Sequence, residues 1–586
     1  MSILFNYHDA DILGTVRSVD TATVIVQVPT PDKLRKLQVN RLAVLQSSKP
    51  GQHLIGIIQK ISRTSIAEAL VAEADNEEPP PTELNLVRIS LIGTHMDRRG
   101  TTANLFVRTL ETVPEIDAKC FALEGEKLTQ FMKIIASIGE DDTQRLSLGA
   151  YTLDDTAEAF LNGNKFFQRH AVIVGGTGSG KSWTTAKILE QVSKLPNANA
   201  IIFDLHGEYG TMCGDGVRHY RIAGPADLDA GRTLENGVVH LPYWLLSYDA
   251  MVSMFIDRSD NNAPNQAMVI SRAVIQAKKN YLISNGQNVL SENFTIDSPI
   301  PFDLAAVISE LEELDQEDVP GAKTGTTKAG DFKGKLGRLI QRLSTKQTDR
   351  RLGFLFRGGE PTMEYGWLEI LSNALIAGSQ DQTDGRGGVK VVNFSEVPSD
   401  ILPLIVSLVA KLAFSIQQWT ANPHRHPIAI FCDEAHLYIP ERAGSDNSGQ
   451  VSVQIFERIA KEGRKYGLGL VVISQRPSEV NRTVMSQCNN LIAMRLTNGD
   501  DQNVVRRLLP DSLGGFGDLL PILDTGEALV VGDATLLPTR IRIAEPDNKP
   551  DSATVAFWDR WSTTQQVSSI ASAVDNWRRQ SIQTDS

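Results

Sequence analysis

Apolar and polar positions alternate over short spans in the first 140 or so residues. In TVRSVDTATVIVQVP, Thr15 to Pro29, β-branched residues flank a polar turn, which predicts a hairpin. HLIGIIQKIS and LNLVRISLIG repeat the short-strand pattern, and strands at this spacing predict a small closed barrel. Between them, Glu73 to Glu83 (EADNEEPPPTE) holds three prolines among acids, cannot continue a strand and reads as a solvated loop. The pattern changes near residue 150. AVIVGG, AIIFDLHGEYG, VKVVNFSE, PIAIFCDEAH, LGLVVISQRP and EALVVGD are continuous apolar runs that end in polar residues. Such runs are buried on both faces, as in a parallel sheet covered by helices, where functional residues gather at the carboxyl ends of the strands. From about Leu246 to Ala377 the apolar spacing becomes three and four residues, which predicts amphipathic helices inserted into the α/β core. The stretch Asp315 to Lys335 reads as a connection. Ile401 to Ile416 holds Pro403 and Lys411, falls short of a bilayer span, and reads as a buried helix. After about Ala544 the chain turns polar, with one helix expected near Val555 to Trp561.

With 58 Lys and Arg against 70 Asp and Glu, the formal net charge is −12. This excludes a protein that coats nucleic acid with its whole surface; any basic lining has to be local. The cysteines, Cys120, Cys213, Cys432 and Cys488, are scattered, so neither a zinc site nor a disulfide framework is expected. No secretion signal or membrane anchor is read, and a cytoplasmic location is expected.

Gly175-Gly176-Thr177-Gly178-Ser179-Gly180-Lys181-Ser182 matches the phosphate-loop pattern between an apolar strand and a helical stretch, the setting that pattern requires. Its glycines let backbone N–H groups surround phosphate oxygens at a helix N-terminus. Lys181 reaches the β- and γ-phosphates in this reading, and the Ser182 hydroxyl binds Mg²⁺. The run Ile428 to Glu434 delivers two adjacent carboxylates at a strand end. Asp433 takes the role of holding Mg²⁺, and Glu434 that of general base on the attacking water. Gln475 ends another strand and is a candidate for sensing phosphate or placing water. Asp204, His206 and Glu208 end the DLHGEYG strand with open roles. Arg458, Lys461, Arg464 and Lys465 are candidates for an arginine finger that reaches a neighbouring subunit's γ-phosphate.

DLHGEYG, CDEAHLYIP, KEGRKYGLGLVVISQRP and GEALVVGDATLLPTRIRI together resemble the HerA family of the HerA/FtsK group of P-loop DNA translocases. The resemblance covers essentially the whole chain. It implies a HAS-barrel-like N-terminal β-barrel (1–140), then a RecA-like P-loop ATPase core in two parts (150–245 and 385–544). A helical insertion (246–380) lies between those parts, and a C-terminal arm (545–586) follows them. It also implies a homo-hexamer that threads double-stranded DNA and hydrolyses ATP with Mg²⁺ between subunits. Carried over by motif, Lys181, Ser182, Asp433, Glu434 and Gln475 form the nucleotide site, and Arg464 is the trans-acting finger. The implied partners are a NurA-like nuclease or, in defence operons, an effector such as a sirtuin-like NADase or another nuclease, docked on the barrel. Arg442 in the loop Glu441 to Gln450 and the stretch Arg218 to Arg232 are candidates for DNA contact. The alternative reading is an ATP-binding ring scaffold that regulates an effector without moving DNA. A conjugation or secretion coupling ATPase ordinarily brings membrane spans, and none is read here.

Overall fold

A computed structural model describes residues 4–35, 37–65, 83–99, 102–136, 144–320, 327–377, 388–442, 447–509, 517–552, 555–562 and 570–580. The chain forms two compact units, residues 1–166 with 526–544 and residues 167–525 with 545–586.

The first unit opens with seven antiparallel strands: β1 (Ile12–Asp20), β2 (Thr23–Gln27), β3 (Leu42–Gln46), β4 (Gln52–Ser65), β5 (Glu83–Arg99), β6 (Thr102–Val107) and β7 (Lys119–Ala122). Their order is β2-β1-β7-β3-β4-β5-β6, and β2 also pairs with β5. Six strands therefore close into the expected barrel, and β6 extends β5 as a hairpin. Closure leaves the six without a free edge, and alternate residues such as Val16, Val24, Val26, Leu54, Ile58, Val87 and Ile89 fill the interior. Each such side chain contributes about 1.5–3 kcal/mol by leaving water. The predicted hairpin is β1–β2, turning at Thr21 with a positive φ of 50°. Most of the acidic, proline-rich segment from Glu73 lies outside the described residues.

The same unit holds β8 (Arg145–Tyr151), β9 (Asp154–Asn162), β20 (Glu527–Gly532) and β21 (Thr535–Ile543), all antiparallel to their neighbours. The EALVVGD run was expected to be a strand of the ATPase core. It is a strand, as expected, and it is also one arm of a hairpin that turns at Asp533–Ala534, whose partner strand pairs with β8. An unbroken apolar run marks a strand covered on both faces, whatever the direction of its neighbours.

In the second unit, β10 (Ala171–Val174), β11 (Asn199–Asp204), β12 (Val217–Ile222), β13 (Val238–Val239), β16 (Gly388–Asn393), β17 (Ile428–Cys432), β18 (Leu468–Ser474) and β19 (Asn490–Ala493) form an all-parallel sheet. Its order is β13-β12-β16-β11-β17-β18-β10-β19. Every residue of β10, β11, β17, β18 and β19 is buried, as their sequences predict. Residues 246–377 contain helices Tyr248–Phe255, Ala263–Ser284, Leu304–Gln316, Gly337–Thr348 and Trp367–Leu375, with a small hairpin of β14 (Asp318–Pro320) and β15 (Thr327–Ala329). Leu402–Trp419 is, among the described residues, the one helix long and apolar enough to cross a membrane. It is buried over Leu404–Ala410 and at Ala413, Phe414 and Gln417, and packs on helix Asn447–Glu462. The arm has its expected helix at Phe557–Ser562 and a second, unforeseen one at Ile570–Arg579.

Candidate active site

The glycine loop follows β10, between β18 and β19. It is tied to both neighbours, since Gly175 N donates to Ser474 O (3.4 Å) and Gly176 N to Arg495 O (2.7 Å). A Cβ on Gly175 would lie 2.4 Å from Ser179 Oγ and 2.8 Å from Met494 Cβ, so no larger residue fits. Gly178 and Gly180 take φ of +71° and +111°, which glycine adopts at little cost. A Cβ on Gly178 would meet nothing within 4 Å, so the tip of the loop borders open space. Helix Lys181–Ser193 starts at once, and its first turn holds Lys181 and Ser182.

Lys181 Nζ donates back to Gly176 O at 3.2 Å. Burial lowers its pKa, opposed by the charges of Glu434, Asp433 and Glu208. Ser182 Oγ donates to Glu208 Oε2 at 2.7 Å. Thr177 Oγ1 donates to Gln475 Oε1 at 2.9 Å, so the glutamine at the end of β18 already touches the loop. Asp433 is buried; burial pushes its carboxyl well above the ordinary range, and Glu434, Glu208 and Asp204 push the same way. Asp204 accepts from the backbone N–H groups of Gly207, Glu208 and Tyr209, which shapes the turn that presents Glu208. Glu434 has a left-handed backbone (φ 44°, ψ 45°), a strained state that turns the chain sharply after β17.

These residues suit a nucleotide with a divalent cation. The loop is open at Gly178, Ser179 Oγ is buried without a partner, and Lys181 faces three crowded carboxylates, Glu434, Asp433 and Glu208, that a cation would relieve. Among the described residues no three His, Cys, Asp or Glu side chains form a metal site by themselves. That fits Mg²⁺, which keeps several waters and takes phosphate oxygens beside one or two protein ligands.

Lys181, Ser182, Asp433, Glu434, Gln475 and Glu208 are thus brought together. Arg464 is not. It is exposed in the turn Gly463–Tyr466, before β18 begins, whereas Gln475 follows its end. Seven residues at about 3.3 Å each put roughly 20 Å between them. Arg464 lies instead near buried His170, whose pKa falls to about 4, mainly through burial. Arg458 covers the Phe414 ring and Lys461 pairs with Glu457, while Arg464 makes no side-chain hydrogen bond or ion pair among the described residues. His206 is exposed. In the stretch Arg218 to Arg232, Arg221 and Arg232 both pair with buried Asp227 (2.6 and 3.1 Å). Arg442 is exposed, and 443–446 of its loop lie outside the described residues.

Glu208, whose role was left open in the sequence, holds Ser182, and two partners not read there, His436 and Ser474, lie beside Glu434 and Gln475. The signal for the last two was adjacency, since His436 follows the acid pair by two residues and Ser474 precedes Gln475.

The family model "Helicase HerA, central domain" matches residues 146–413. A probable helicase of Methanocaldococcus jannaschii is 24% identical over 423 residues, 71% of this chain and 70% of that protein. The DNA double-strand break repair helicase HerA of Sulfolobus acidocaldarius is 24% identical over 418 residues, 70% and 71% of the two chains. A second probable helicase of M. jannaschii is 23% identical over 560 residues, 92% and 96%. Among solved structures, VirB4 of Thermoanaerobacter pseudethanolicus gives a TM-score of 0.46 at 15% identity, covering 70% of this chain and 98% of that one. With a closed six-stranded barrel, a parallel sheet carrying a phosphate loop, and a central region that matches the HerA model, the chain is similar to the HerA helicases.

Proposed function

We propose that this protein is an ATP-driven translocase of double-stranded DNA, working as a homo-hexamer in the cytoplasm. The observation that carries the reading is the convergence of Lys181, Ser182, Asp433, Glu434 and Gln475 on one glycine loop at the carboxyl edge of the sheet. Relatives across about 70% of the chain are named as helicases.

Lys181 binds the β- and γ-phosphates of ATP, and the loop N–H groups from Gly176 to Lys181 hold their oxygens. Ser182 and Asp433 would hold Mg²⁺, which would supply charge neutralisation at the phosphates. For that, Ser182 releases Glu208. Glu434 accepts the proton of the attacking water. Gln475 exchanges its contact with Thr177 for the γ-phosphate region. Arg464 lies too far from its own loop to act there, which supports its service at a neighbour's site and hence a ring. A NurA-like nuclease or an effector enzyme, such as a sirtuin-like NADase, docks on the barrel, in DNA processing or antiviral defence.

The test is ATP turnover by the purified ring with and without duplex DNA. Stimulation by duplex supports the translocase. Steady turnover that no duplex changes at low salt, with hexamers verified, supports the scaffold reading in its place.

A further inference from the structure

Glu434 is held in an unusual way. Its backbone is left-handed, and its side chain is only 13% exposed. Oε2 is fully buried and has no aligned hydrogen-bond donor. The group nearest to filling that role is His436 Nδ1, at 3.3 Å. The same Nδ1 lies 3.3 Å from Ser474 Oγ, and the His436 side chain is 9% exposed. Ser474 Oγ in turn accepts from Arg476 N at 3.0 Å, which fixes the hydroxyl oxygen at the end of β18. Gln475 lies between these two residues and is bonded to Thr177 of the phosphate loop. One ring nitrogen is therefore equidistant from the carboxylate that acts on water and from the strand end that carries the phosphate-facing glutamine.

A buried carboxylate oxygen without a donor is costly, so a donor within reach has a strong electrostatic reason to align with it. In the tautomer that protonates Nδ1, that nitrogen has one proton and can serve one acceptor well at a time. The backbone on either side is fixed. Leu437 N donates to Glu434 O (2.9 Å), and Ile439 N to Ala435 O (2.7 Å), so His436 is presented from a rigid turn. Glu434 and Ser474 are both at strand ends of the same sheet, on the neighbours β17 and β18. With Ser474 held in the sheet, a rotation of the His436 ring alone is enough to change which of these two acceptors, each 3.3 Å from Nδ1, it serves.

We infer that His436 is a positioning residue for hydrolysis, one whose Nδ1 exchanges between Ser474 and Glu434 and so aims the carboxylate at water only when Gln475 has engaged the nucleotide. This rests on Glu434 being the base. It predicts an effect on the chemical step and not on binding, because no hydrogen bond or ion pair joins His436 to the phosphate loop among the described residues.

The test compares Glu434→Gln, His436→Ala, His436→Asn, His436→Gln and Ser474→Ala as full-length rings, reading kcat and KM for ATP, nucleotide affinity and melting temperature. Asn places an amide N–H near the Nδ1 position; Gln places it farther out, near Nε2. His436→Ala should lower kcat about ten- to a hundredfold, the scale of a misaimed reacting group, with KM and affinity within about twofold. His436→Asn should recover most of kcat, and His436→Gln should not. Ser474→Ala should lower kcat less than His436→Ala. Adding His436→Ala to Glu434→Gln should cost little more, since both act through one carboxylate.

If Glu434→Gln is inactive while His436→Ala and Ser474→Ala keep wild-type kcat, the positioning role falls and the base assignment stands. If His436→Asn is as slow as His436→Ala at an unchanged melting temperature, ring bulk and not Nδ1 matters, and the inference is overturned. If Glu434→Gln itself turns over at the wild-type rate, the base assignment falls and the inference with it. Should His436→Ala fail to fold, His436→Asn against His436→Gln still decides.

Discussion

Replacing Glu434 with Gln keeps the size of the side chain and removes one charge. At the chemical step the water loses its proton acceptor, and such a loss slows turnover by about 10²–10⁴, or roughly 3–5.5 kcal/mol of barrier. The surroundings predict a second, opposite effect. After burial, Glu434 is the largest cause that raises the Asp433 pKa. A carboxyl whose folded pKa is raised binds its proton more tightly when folded. Its contribution therefore favours folding at low pH and is lost as pH rises from the ordinary value, about 3.9, through the raised folded value. Removing the Glu434 charge lowers the folded value and weakens that loss. The substituted protein should thus be less active yet hold its stability better as pH rises above the ordinary carboxylate value of about 3.9. The assay is ATP turnover at saturating Mg²⁺ together with urea midpoints over rising pH. Turnover within about threefold of wild type would refute the base assignment and move attention to Glu208. A stability profile identical to wild type would refute the repulsion between the two acids.

Other outcomes follow from single contacts. Arg464→Ala should bind ATP normally and hydrolyse it poorly; mixing it with Lys181→Ala subunits should restore some turnover, and no restoration under verified subunit exchange refutes action in trans. Gly175→Ala should destabilise by about 1–3 kcal/mol, because its Cβ meets Ser179 and Met494, and denaturant midpoints measure this. Duplex stimulation should fall steeply with salt and show little sequence preference, since a confined lining of phosphate contacts reads charge and no bases. Arg442→Glu should lower stimulated turnover and leave the basal rate intact; unchanged stimulation in a titration with duplex refutes a role for that loop.

The nucleotide half of the site was legible because its chemistry is local. Gly175 to Ser182 and Asp433–Glu434 are contiguous, and their strand settings are written in the apolar runs beside them. Long-range pairing was less legible. Nothing in GEALVVGDATLLPTRIRI says that its second strand pairs with residues 149–151, because a run buried on both faces looks the same in parallel and antiparallel company. The contacts of Ser182 with Glu208 and of Thr177 with Gln475 span 26 and 298 residues, and only the folded sheet brings them together. Basic residues were the least legible. Arg221 and Arg232 look like Arg464 in sequence, yet a buried aspartate holds the first two.

Strand β18 joins two of these features. It is buried at all seven positions and hydrogen-bonded to β17 and β10 on either side, so it can shift only as part of the sheet. Its far end carries the glutamine that touches its own phosphate loop, and its near end follows the arginine assigned to the next subunit. If Arg464 serves a neighbour's site in a ring, as proposed, each β18 would be a stiff rod with one tip in each of two successive fuel sites. A displacement registered at one tip is delivered at the other without any intervening flexible part. Sequential firing around the circle would then be a property of a single strand's rigidity, and softening that strand, with both tips untouched, would desynchronise the ring.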